Sequence, residues 1–189
     1  MMDIRPNRGG FLRPFGCGWF IREYLLGKGT EGSTPIDPER GAPQADINYE
    51  YKEALARATA RERAERIISR MVLSGADITE DQAEKVRERE LKKVSRKFTR
   101  MRYHSFLVYF GMLKRLGWVE TTTETGASSI QGNYPQAPDR TYYRLTAAGR
   151  AADEALWSNP QYTLYPENGR SHQSKQTGWP HRKVRNTGT

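Results

Sequence analysis

Through Ser105–Glu120 the apolar residues return every three to four positions. Phe106, Phe110 and Leu113 mark one helical stripe, and Gly117 closes it. Trp118 and Val119 then switch the pattern towards a strand. A polar loop, Thr121–Pro138, is rich in Thr, Ser, Gly and Pro, and Thr141–Leu145 reads as the returning strand. Thr146 stands where it caps a short helix, Ala147–Trp157. The order predicted is helix, strand, loop, strand, helix.

Upstream, Trp19, Phe20, Tyr24 and Leu25 form a helical stripe inside Phe11–Gly29, stopped by Gly27 and Gly29. Thr30–Asn48 holds Gly32, Ser33, Pro35, Pro38, Gly41 and Pro43 and is expected to be a loop without regular structure. Its GKGTEG start lacks the Gly-Lys-Ser/Thr of a phosphate loop, since Gly29 follows Lys28. Tyr49–Leu73 is a helix with Leu55, Ala58, Ile67, Ile68, Met71 and Val72 on one face and mixed charges on the other. Ser74-Gly75 stops it, and Thr79 with Gln82 makes a capping box that starts the next helix.

That next helix is expected to run from about Glu80 towards Arg102, with a narrow seam of Ala83, Val86, Leu91, Val94, Phe98 and Met101. A narrow seam on a long charged helix fits an antiparallel hairpin or a dimer arm. Its second half, Lys92 to Arg102, has no acid and carries Lys92, Lys93, Arg96, Lys97, Arg100 and Arg102. That run is the strongest nucleic-acid signal in the chain, because aromatic Phe98 and Tyr103 border it. The bland alternative is a solvated charged face. The helix after it is apolar nearly all round: Leu107, Val108, Tyr109, Phe110 and Met112 leave little polar face, so it is expected to be covered, either by the long basic helix or by another chain.

The phrases LKRLGWV and DRTYYRLTAAGR resemble the third helix and wing of MarR- and PadR-type winged helix-turn-helix regulators. The matching residues are Leu113, Gly117, Trp118, Val119, Asp139, Arg140, Tyr143, Leu145, Thr146 and Gly149, within 105–150. The resemblance implies a mainly α fold with a small β-hairpin, a winged helix-turn-helix with a long helical insertion. It also implies a recognition helix over Thr99–Gly117, whose start (Thr99, Arg100, Arg102, Tyr103, His104 and Ser105) faces DNA, and Arg140 reaching the minor groove from the wing. Asp139-Arg140 reads equally well as a local ion pair. Unlike those families, the chain lacks a C-terminal dimerisation segment after Asn159-Pro160, so any homodimer must form through 49–101.

Charge sharpens this picture. The 189 residues carry a formal net charge of +9, which calls for a polyanionic partner. Double-stranded DNA is the first choice, with RNA and an acidic protein face left open. Residues 1–10 read as a flexible basic arm, 11–158 as the domain, and 159–189 as a basic flexible tail. Mean hydropathy is −0.84, in keeping with long polar termini.

No apolar run approaches the roughly 20 residues of a membrane span, and residues 1–10 do not resemble a signal peptide. Cys17 stands alone and the histidines (His104, His172, His181) are scattered, so neither metal, cofactor nor catalytic centre is expected. The expectation is a cytoplasmic DNA-binding regulator that is not an enzyme. The other reading is a structural or adaptor subunit of a larger assembly.

Overall fold

The computed structural model describes residues 13–95, 103–127, 139–158 and 160–166. Helices dominate: α1 (Cys17–Leu25), α2 (Gln44–Leu73), α3 (Glu80–Lys93), α4 (Tyr103–Arg115) and the short α5 (Ala147–Ala151), α6 (Glu154–Ser158) and α7 (Pro160–Leu164). The strands are β1 (Ala42–Pro43), β2 (Val119–Gly126) and β3 (Arg140–Leu145). They form one antiparallel sheet in the order β1-β3-β2. The architecture is therefore mainly helical with a small three-stranded sheet.

The helix ends follow local chemistry. Gly27, Gly75 and Gly117 have positive φ, and each ends a helix by the same pair of backbone bonds. At α4, the Gly117 amide donates to the Lys114 carbonyl and the Trp118 amide to the Leu113 carbonyl. Buried Trp118 and Leu113 complete that cap. At the start of α3 the Gln82 amide donates to Thr79 Oγ1 while the Thr79 amide donates to Gln82 Oε1, the expected capping box.

Four expectations are corrected. First, the loop before α2 is shorter than expected: Ala42–Pro43 pairs with Tyr142–Tyr143, and α2 begins at Gln44. A two-residue edge strand carries no periodicity, and proline suits an edge because it has no amide to donate. Asp46, in the first turn of α2, suits the helix dipole. Second, α3 stops at Lys93, where Val94 turns extended, rather than running towards Arg102. Third, the expected helix Ala147–Trp157 is two helices broken at Ala152-Asp153, with Asp153 Oδ1 accepting from the Ala155 amide. Fourth, a short helix, α7, lies past Asn159 within the expected tail.

The core joins α1, the first half of α2, α4, the sheet and α6. Phe20 stacks with Phe15 and Tyr24 and meets Tyr51 at a tilt; in a second cluster Phe106 stacks with Phe110, which meets Tyr143 edge-on. Trp157 is fully buried. Its ring lies 4.9 Å from that of Trp118, its Nε1 donates to the Gly149 carbonyl, and its own carbonyl accepts from Tyr109 Oη at 2.8 Å. Glycine is required around it: a Cβ on Gly149 would overlap the Trp118 carbonyl, and one on Gly18 would overlap the Trp157 carbonyl. Beyond the core, α3 packs back along the outer half of α2, closing on Ala60, Ala64 and Ala83.

Removing the Trp157 ring empties a large buried site. Trp157→Ala is expected to cost about 3–5 kcal/mol, read by urea unfolding. Gly149→Ala should also destabilise. Gly111→Ala should do the reverse: nothing lies within 4 Å of the added methyl, so it should gain up to about 1 kcal/mol of helix propensity.

Candidate nucleic-acid interface

α4 is amphipathic in place, although its sequence is apolar almost all round. Phe106, Phe110 and Leu113 are buried; Phe110 meets the Tyr143 ring edge-on at 5.0 Å, which seats α4 on β3. Tyr109 anchors the same side through Trp157. The opposite side carries His104, Ser105, Leu107, Val108, Lys114 and Arg115, all exposed. The long basic helix does not cover it: Leu107 and Val108 remain 37% and 52% exposed. The core needs only one stripe of the helix, and α3 lies along α2.

The sequence-derived site residues fall into four groups. Lys92 and Lys93 are exposed at the end of α3; Lys93 pairs with Glu90 at 3.0 Å, and Lys92 has no partner among the described residues. Ser105 is exposed in the first turn of α4. Arg140 is half-buried on β3. Arg96, Lys97, Arg100 and Arg102, with Thr99 and the side chain of Tyr103, lie outside the described residues. Arg140 belongs to the ladder and not to the loop, because β2 runs on to Gly126 and pairs with it.

The sheet brings together charges that the sequence reading left out. Arg144 donates to Glu120 at 2.9 Å and meets Glu39 at 3.2 Å; Arg150 meets Glu39 at 2.7 Å. Arg40 pairs with Glu124 at 2.8 Å, its guanidinium 5.0 Å from the Tyr142 ring. Each arginine here has an acidic neighbour, so this face adds little net positive potential. These pairs join residues as far apart as 39 and 150, and no local spacing announces them. At the end of α4, Lys114 lies 5.2 Å over the Tyr143 ring, and Arg115 Nη1 donates to Tyr165 Oη at 3.2 Å. Both cations stay exposed while being held in place.

Other chemistry is sparse. Cys17 is buried, and burial pushes its thiol well above the ordinary range, which suits a packing residue better than a redox sensor. Among the described residues no three His, Cys, Asp or Glu side chains gather as a metal would require, and no helix is long and apolar enough to cross a membrane. No protein-family model, curated protein or solved structure matches the chain.

Proposed function

We propose that this chain is a winged-helix protein that binds duplex DNA, a cytoplasmic transcriptional regulator and not an enzyme. The observation that carries the reading is the way α4 is held. Its inner stripe is fixed on β3 and its outer side is open from the first turn. The chain enters it from the basic run Lys92–Arg102 and leaves it into the antiparallel pair β2-β3, with β1 as third strand. That order is the one the MarR- and PadR-like motifs in 105–150 imply.

On this reading Arg96, Lys97, Arg100 and Arg102 neutralise phosphates beside the start of α4, His104 and Ser105 face the groove, and Arg140 supports from the wing. Affinity comes mainly from counterion release and falls steeply with salt. The ion-paired sheet face contributes little.

A second reading, a structural subunit that docks protein on α4, is favoured by one observation: Leu107 and Val108 sit exposed in the middle of the outer side. A duplex offers such residues little beyond thymine methyl groups.

Fluorescence anisotropy with a random-sequence duplex, titrated at several salt concentrations, separates the two. DNA binding predicts a steep salt slope that becomes shallower by about 2 in Arg100→Ala/Arg102→Ala, because each arginine neutralises one phosphate. Absence of binding at low salt, or an unchanged slope, favours the scaffold. The sheet gives an independent check. Glu120→Gln/Glu124→Gln removes the acid paired with Arg40 and one of the two paired with Arg144, which keeps Glu39, so duplex affinity at low salt should rise while the melting curve changes little.

A further inference from the structure

The charged residues of α3 divide into two sets. Glu80, Glu84, Arg87, Arg89, Glu90 and Lys93 are all engaged in ion pairs within the chain. Asp81, Lys85, Glu88 and Lys92 have no hydrogen-bond or ion-pair partner among the described residues. All four are exposed. Their spacing of four, three and four places them along one line of the helix, on the side away from α2. The signs along that line alternate: minus, plus, minus, plus.

This line is complementary to itself when reversed. With a two-fold axis midway between Val86 and Arg87, Asp81 of one copy faces Lys92 of the other, and Lys85 faces Glu88; each pair then repeats by symmetry. No like charges oppose one another along it. The same spacing would also serve pairs within one helix, yet none of the four lies within ion-pair distance of another in the folded chain.

We propose that α3 docks antiparallel on α3 of a second copy of this chain, through Asp81, Lys85, Glu88 and Lys92. Exposed ion pairs alone contribute little, so the contact is weak. Leu91 is 43% exposed on α3, and its antiparallel counterpart is Gln82, one turn from the hairpin tip. At that tip Met71, Val72 and Leu73 are exposed, Leu73 at 86%. The contact is short, about 17 Å from Asp81 to Lys92 at 1.5 Å per residue, so the dimer dissociates on dilution and loosens in salt.

Sedimentation velocity of the full chain, without nucleic acid, tests this and does not depend on the DNA reading. The wild type should shift from monomer to dimer with rising concentration. Asp81→Lys/Glu88→Lys makes the line all basic, and Lys85→Glu/Lys92→Glu makes it all acidic. Each variant should be monomeric with unchanged helix content by circular dichroism, and an equimolar mixture should restore a dimer. A monomeric wild type overturns the proposal, as does a dimer that survives both variants, or a mixture that stays monomeric. Self-association removed only by Leu107→Ser/Val108→Ser places the contact on α4 and overturns it equally.

Discussion

Trp157 is the contact on which the arrangement of the functional elements depends. One side chain and its carbonyl meet the sheet through Trp118, the start of α5 through Gly149, and α4 through Tyr109. Gly18 of α1 presses on the same carbonyl. The chain thus uses a residue far downstream to fix the rotation of α4 about its own axis. With Tyr109 held on one side and Phe110 held against Tyr143, residues 104, 105, 107 and 108 are turned to solvent. Two glycines make the clasp possible, because any side chain at either position would occupy the space of a backbone carbonyl.

Electrostatics divides the surface along similar lines. The sheet face is neutralised in place by Glu39, Glu120 and Glu124. On α3, the ion-paired residues flank a line of four charges that have no partner among the described residues. A net charge of +9 is thus no even coat. In the proposed functions the basic run before α4 engages DNA, and the outer line of α3 engages a second copy. The two sets share Lys92, so the ends of the paired α3 helices would lie close to the duplex.

Much of this was legible in the sequence wherever the signal was local. Gly117 as the end of α4, the Thr79–Gln82 box, the Thr146 cap and the α1 stripe each rest on a few adjacent residues whose chemistry has one good outcome. The short strand β1 was not legible, because an Ala-Pro pair becomes a strand only when β3 lies beside it. The end of α3 at Lys93 was also missed, since nothing in VSRKF breaks a helix by propensity. The two-sided character of α4 depended on Trp157 and β3, which are distant in sequence. Of the candidate site, Lys92, Lys93, Ser105 and Arg140 lie among the described residues, and the ion pairs that quiet the sheet face could not be read from any spacing.

Hydrogen exchange of the full chain, with and without a duplex, tests the central reading most directly, because it reports which surface the nucleic acid covers. Slowed exchange is expected at the start of α4, over residues 103–108, and at the outer end of β3 near Arg140, with no change at the hairpin tip over residues 71–79. Slowed exchange confined to the hairpin, or none at a duplex concentration that saturates binding, would contradict the assignment of α4 as the DNA-facing helix.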